Sequence, residues 1–409
     1  MTEPAVTGAP PTPRADLRPA WVAVDLAAVR HNAALLAQMV APSRLCVVVK
    51  ADGYGHGAAA VSRAALEGGA SWLAVALVEE GIALRQAGIS APVLVLSEPP
   101  ADAMAEVVAH GLVPTLYTRS GVRALAEEAA AAASTVAVHV KVDTGMHRVG
   151  ADPQDVAEIV GAVVAAPQLR FDGLYTHLAV ADGSATEDDD FTATQLGRLE
   201  DVRRSLAAAG LTPRLVHAAN SAGAIAHPSA RLDLVRCGIA LYGLLPGPGL
   251  GPALAAAVAA GGGHGELRPV LSLRARVSFV RNVDEGERPS YGRRYPLPEP
   301  SAVAIVPIGY ADGVPRRYFD GGGTVLIGGR RRPLAGTVTM DQILVDCGPA
   351  ADVVAGDEVV LIGAQGEESI SAWEWAKVLD TIAYEVVCGI GPRVPRLVID
   401  AEQAAAAAP

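Results

Sequence analysis

The chain is short of lysine. Only Lys50, Lys141 and Lys377 are lysine among its 33 basic residues, and the rest are arginine. Guanidinium therefore meets the ordinary need for positive charge. A retained lysine is marked as wanted for its amine, because a permanently protonated arginine cannot serve as nucleophile, base or point of covalent attachment. Lys377 lies in a segment read as a surface helix, where it is plain charge. Positive charge in excess is also missing: the formal net charge is −11, which excludes nucleic acid and an anionic membrane as expected partners. No apolar run reaches the roughly 20 residues of a membrane span. Cysteines are few, and Cys46, Cys237, Cys347 and Cys388 show no ligand spacing, so no metal is expected and a cytoplasmic setting fits. Residues 1–17 lack a basic start followed by an apolar stretch and read as a disordered tail, and the alanine-rich 401–409 reads as a tail with no core to join.

What is present suits an α/β enzyme. Aromatics make up 4% of the chain while 51% of it is hydrophobic, with 43 glycines and much alanine. The 409 residues suffice for two domains or a barrel with an addition. Ala20–Asp25 reads as a short strand, with Asp25 capping a helix to about Val40. Eight apolar strands then alternate with helical segments: Cys46–Lys50, Trp72–Leu77, Val93–Ser97, Val113–Thr118, Val136–Val142, Phe171–His177, Leu215–Ala219 and Leu234–Val235. That count predicts a (β/α)8 TIM-type barrel over residues 18–265.

The polar residues support the same count. A barrel of this type carries its chemistry at the C-terminal ends of its strands, where the sequence places Lys50, Lys141, Asp143, His177, Asn220, Ser221 and Arg236. Read alone, Lys50 is either a surface charge closing a strand or a functional amine. Strands seven and eight run into Asn220-Ser221 and Arg236-Cys-Gly-Ile239, where barrels often bind phosphate. Closure sets strand eight beside strand one, so a phosphate site, an arginine and a lysine share one corner. The Gly-, Pro- and Ala-rich stretch 245–265 reads as the domain connection. Residues 266–400 read as mainly β, with an alternating strand Val270–Val280 and a helix at Ala372–Leu379 started by Ser371 and Glu374. The acids Glu187–Asp190 read as an exposed helix start.

Taken in order, a set of motifs resembles alanine racemase: Lys50-Ala-Asp-Gly-Tyr54-Gly-His56-Gly, Lys141-Val-Asp-Thr-Gly-Met-His-Arg148, Thr176-His177-Leu-Ala, His217-Ala-Ala-Asn220-Ser221, Arg236-Cys-Gly-Ile-Ala-Leu-Tyr-Gly, Ser290-Tyr291-Gly, Gly309-Tyr310-Ala-Asp-Gly and Met340-Asp341-Gln. The resemblance implies pyridoxal 5′-phosphate held as an imine on Lys50, and interconversion of L- and D-alanine by two bases. Lys50 serves the D-enantiomer. Tyr291, from the other subunit of a homodimer, serves the L-enantiomer. A phenol needs cationic neighbours to act as a base near neutrality, and His177 and Arg236 match that role. Arg236 is implied to face the pyridine nitrogen, which then stays unprotonated, because guanidinium does not give up its proton. A weaker electron sink of this kind disfavours transamination. Tyr54, Asn220, Ser221, Gly238 and Ile239 match cofactor contacts. Lys141 matches a carbamylated position that would hold Arg148 against the cofactor and the substrate carboxylate. Met340, Tyr310 and Asp341 match the substrate pocket and its entrance. The implied role is supply of D-alanine for peptidoglycan.

Two departures stand out. Pro392 occupies a position where many relatives have tyrosine, and Thr339 one where cysteine is common. Pro392 keeps open a racemase of wider range that accepts serine. A barrel-type decarboxylase would place an acid where Arg236 stands and a cysteine where Tyr291 stands. A single-barrel carrier of the cofactor would lack the residues after Gly265.

Overall fold

The computed structural model describes residues 17–183, 185–349 and 352–400, so both expected tails lie outside the described residues except for Leu17. The chain forms two compact units. One holds Asp25–Val270 with Asp400, and the other joins residues 17–24 to Leu271–Ile399.

In the first unit, Asp25 caps the helix Leu26–Val40 as expected, its Oδ1 accepting the N–H groups of Ala27 and Ala28. The leading strand, β1 (Ala20–Asp25), belongs with the other unit and is described there. Eight parallel strands follow: β2 (Arg44–Val48), β3 (Trp72–Val75), β4 (Val93–Val95), β5 (Val113–Leu116), β6 (Val136–Lys141), β7 (Leu169–Tyr175), β8 (Leu215–His217) and β9 (Leu234–Cys237). They pair in sequence order, and β9 pairs with β2. Two bonds link the remaining gap, from Asp233 N–H to Val216 O and from Arg236 N–H to Ala219 O, both 3.0 Å. This is the expected (β/α)8 barrel. The strands are legible because helices cover one face and packed side chains the other, so both faces select valine and leucine. Several stop short of their expected ends. After β3, the Glu80 carboxylate takes the N–H groups of Ala76 and Leu77 and starts the helix Val78–Gln86 instead. The stretch expected to be a connection contains a helix, Gly251–Ala260, where alanine propensity prevails once Pro252 has opened the first turn.

The second unit is mainly β, as expected. Its strands are β10 (Leu271–Arg276), β11 (Phe279–Val283), β12 (Ser301–Val306), β13 (Thr324–Ile327), β14 (Arg330–Pro333), β15 (Ile343–Asp346), β16 (Glu358–Gln365), β17 (Glu368–Ile370) and β18 (Arg396–Ile399). One sheet runs β14-β13-β16-β10-β1-β18 with β17 on β16, and a second runs β11-β12-β15. Residues 18–24 thus lie outside the unit that holds the barrel, although the sequence reading set its start at 18. Val22 and Val24 are fully buried in the sheet with β10, from Ala20 opposite Ala275 to Val24 opposite Leu271. The single strand expected over 270–280 is split, because Val277 and Ser278 turn their N–H groups to Asp357 and Ile305. The helix Ala372–Leu379 starts at Ser371, whose Oγ accepts Glu374 N–H at 3.0 Å. Among the described residues, no helix is long and apolar enough to cross a membrane, and no group of three potential metal ligands forms.

Candidate functional site

Lys50 lies two residues beyond the end of β2, at the start of an unusual turn. Ala51, Asp52, Gly53 and Tyr54 all have φ between 49° and 63° and ψ between 38° and 51°, a left-handed helical turn in which only one residue is glycine. Each non-glycine residue there costs about 1–2 kcal/mol, so the turn needs bonds to hold it. Glu80 Oε1 accepts Ala51 N–H at 2.6 Å, Asp52 Oδ1 accepts Ala58 N–H at 2.8 Å, and Gly53 N–H donates to Val49 O at 2.9 Å. The turn delivers Tyr54, whose ring packs on Tyr242 with centroids 4.8 Å apart.

Tyr54 faces the corner formed by strands seven and eight of the barrel. A Cβ added to Gly238 would lie 2.4 Å from Tyr54 Oη, so only glycine leaves room for that hydroxyl. Ser221 Oγ accepts the N–H of Gly238 at 2.9 Å, which leaves its own hydroxyl hydrogen to donate elsewhere. The Ile239 N–H finds no acceptor among the described residues. A phenol, a hydroxyl and a backbone amide are thus grouped at Gly238, donors of the kind a phosphate accepts. Asn220 takes part indirectly: its Oδ1 accepts Gly223 N–H at 2.9 Å and caps the helix Ser221–Ala226.

Four cations converge near this corner. Lys50, Lys141, Arg148 and Arg236 each act on His177, and Lys141 feels the other three. None of the four has a carboxylate partner within 4 Å among the described residues. Lys141 is 5% exposed, and burial, followed by the charges of Arg236 and Arg148, lowers its amine to about 8. His177 is held well below its usual value, again first by burial and then by Arg236. The buried Arg236 donates through Nη2 to Thr176 O (2.9 Å) and Ala218 O (3.0 Å), and also reaches His177 Nδ1 (3.3 Å). Its Nη1 donates to His217 Nδ1 at 2.6 Å. The Nε–H and one Nη1 hydrogen have no acceptor among the described residues.

The remaining expected residues lie in the second unit. Tyr291 is 71% exposed, on a segment fixed from beneath: Ser290 Oγ donates to Thr337 O at 2.6 Å and Thr337 Oγ1 to Tyr291 O at 3.0 Å. Tyr310 and Met340 are brought together, with Tyr310 N–H on Thr339 O and Ala311 N–H on Met340 O. Asp341 pairs with Arg393 at 2.7 Å, and Arg393 also reaches the buried Asp312, so the exposed Pro392 adjoins this cluster. Sequence reasoning overlooked His139, Tyr175 and the role of His217, which line the barrel beneath Arg236. The signal was there: His139 stands two residues before Lys141 on one strand and so shares its face.

The family models match the whole architecture, with an alanine racemase N-terminal domain over residues 24–246 and an alanine racemase C-terminal domain over 270–398. The chain belongs to the alanine racemase family. It is thereby an isomerase. Curated relatives include the alanine racemase of Symbiobacterium thermophilum, 44% identical across 93% of this chain and 97% of that one. Among solved structures, alanine racemase from Streptomyces coelicolor A3(2) is similar with a TM-score of 0.85 and 37% identity, over 94% of this chain and all of that one. A histidine racemase from Leuconostoc mesenteroides is also similar, with a TM-score of 0.81 and 26% identity over 94% and 98% of the two chains.

Proposed function

We propose that the protein interconverts L- and D-alanine by moving a proton at the α-carbon, with pyridoxal 5′-phosphate attached through Lys50. Four converging cations without carboxylate partners, beside the donors grouped at Gly238, carry this reading. The residues fit the cofactor. Tyr54, Ser221 and the Ile239 amide would hold its phosphate, and the spare N–H groups of Arg236 suit an unprotonated ring nitrogen. When bound, the cofactor supplies the electron-withdrawing ring that stabilises charge at the α-carbon. Arg236 would keep that ring a weak sink, since a guanidinium donates a hydrogen bond and retains its proton.

Lys50 accepts or returns the proton on the face that serves the D-enantiomer. Tyr291 of a second copy serves the other face, which accords with its exposure in a single chain. Arg148 holds the substrate carboxylate. Lys141, with its lowered amine, is the residue to be carbamylated, and the resulting anion would fix Arg148. Met340, Tyr310 and Asp341 shape the entrance. The product serves peptidoglycan assembly in the cytoplasm. A second reading, racemisation of serine or larger amino acids, is favoured by Pro392 and by the likeness to a histidine racemase.

Absorbance before and after borohydride, followed by optical rotation with L-alanine, D-alanine and L-serine, tests both readings. A band at about 420 nm that reduction fixes on Lys50, with rotation lost from both alanines, is expected. Rotation lost faster from serine favours the second reading. An intact Lys50 after reduction refutes the cofactor assignment.

A further inference from the structure

Beneath Arg236 the barrel holds a row of polar groups that the proposed reaction leaves unused. His217 Nδ1 lies 2.6 Å from Arg236 Nη1, His217 Nε2 lies 2.9 Å from His139 Nδ1, and His139 Nε2 lies 3.9 Å from Asp172 Oδ2. All four residues are at most 3% exposed. Guanidinium only donates, so His217 Nδ1 accepts. The neutral imidazole then carries its proton on Nε2 and donates to His139 Nδ1, which puts the His139 proton on Nε2, facing the Asp172 carboxylate. A second proton on either ring would set two N–H groups against each other. Both hydrogen bonds therefore point the same way, from the buried cation towards the buried anion, which His139 Nε2 faces at 3.9 Å without a hydrogen bond. Asp172 also accepts from Arg170 (3.3 Å) and Arg214 (3.0 Å), both more than half exposed.

The neighbouring residues make room for this row. A Cβ on Gly173 would lie 2.4 Å from His139 Nδ1, and the register of β6 on β7 shifts between Val138 and His139. Tyr175 stacks on His217 at 4.4 Å and 7°, with its face 5.0 Å from the Arg236 guanidinium.

We propose that His139 and Asp172 are positioning residues for Arg236. By accepting the proton of His217 and facing a buried carboxylate, His139 locks the guanidinium into one donor pattern. The Nε–H and one Nη1 hydrogen are thereby kept for an acceptor in the site. The consequence for reaction control rests on the racemase reading, whereas the direction of the chain does not.

Nitrogen-15 NMR of histidine-labelled, cofactor-loaded protein, with signals assigned through His139→Gln and His217→Gln, reads the direction. Both rings are expected as neutral Nε2–H tautomers from about pH 6 to about pH 9. A proton on Nδ1 of either ring, or a charged ring at neutral pH, overturns the proposal. The coupling is read from the ratio of side transamination to racemisation. His139→Leu removes both acceptor and donor and is expected to raise that ratio about tenfold, while His139→Gln, which offers a carbonyl to His217 and an amide to Asp172, stays within about threefold of the parent. Equal ratios in all three proteins overturn the positioning role. Should His139→Leu fail to fold, Asp172→Ala carries the same test: it removes the carboxylate that His139 faces, the ratio is expected to rise, and an unchanged ratio overturns the positioning role. A parent that shows the tautomers but does not racemise refutes the racemase reading instead.

Discussion

Replacing Gly238 with alanine adds one methyl group at the point where the site is tightest. The new Cβ would sit 2.4 Å from Tyr54 Oη and 3.1 Å from its Cζ, about 1 Å inside ordinary contact. Tyr54 cannot yield easily: it is 8% exposed, packs on Tyr242, and sits at φ 54° in the left-handed turn. Overpacking of this kind costs about 1–3 kcal/mol. The displaced hydroxyl would also lose the hydrogen bond proposed to the cofactor phosphate, worth about 1.5–3 kcal/mol, or roughly a 10- to 150-fold loss of cofactor affinity. Titration of cofactor-free Gly238→Ala with pyridoxal phosphate, followed by absorbance, measures this loss, and thermal unfolding of the same protein controls for general damage. Parent-like affinity with unchanged stability would refute the rigid placement of Tyr54 at the phosphate.

Further outcomes follow from the cations and from the exposed tyrosine. Burial lowers Lys141 from 10.5 to about 8, so the folded state binds fewer protons than the unfolded one between those values and stability rises with pH across them. In cofactor-free protein without carbon dioxide, Lys141→Met is therefore expected to raise Tm at pH 7, and the gain should disappear by about pH 10.5. A constant gain would contradict a buried ammonium. Mixing inactive Lys50→Ala and Tyr291→Phe subunits should restore about one quarter of parent activity, because half of randomly paired dimers regain one intact site; no recovery after verified exchange would count against shared sites. Arg236→Glu is expected to raise side transamination and slow racemisation, and an unchanged product ratio would sink the weak-sink account. Gly173→Ala should lose about 1–3 kcal/mol in denaturant unfolding through its contact with His139, and no loss would mean that the strand has room to shift.

The barrel was legible because parallel strands covered on both faces appear as unbroken apolar runs, and Lys50, Lys141, His177 and Arg236 could be placed from where those runs end. The exceptions have physical causes. β14 contains three arginines in a row and gives no apolar signal; Arg331 instead finds Glu368 and Glu374. β1 reads the same whichever sheet it joins, and only its pairing with β10 assigns it. His139 was hidden because a lone histidine in a valine-rich strand is uninformative until His217 and Asp172, far away in sequence, come within reach of it. The role of Glu80 is of the same kind, since nothing near residue 80 indicates that its carboxylate grips the residue after Lys50.

That grip has a consequence for when Lys50 acquires its geometry. The three non-glycine residues of the left-handed turn together hold about 3–6 kcal/mol of unfavourable backbone conformation, a sizeable fraction of the net stability of a whole domain. A free peptide spanning residues 44–67 would carry the lysine and the bonds of Asp52 and Gly53 but would lack the carboxylate that takes Ala51 N–H, because Glu80 lies beyond it. The arrangement around Lys50 thus depends on topology as well as on its local segment. The set of bonds is complete only after the third strand and its following helix have docked.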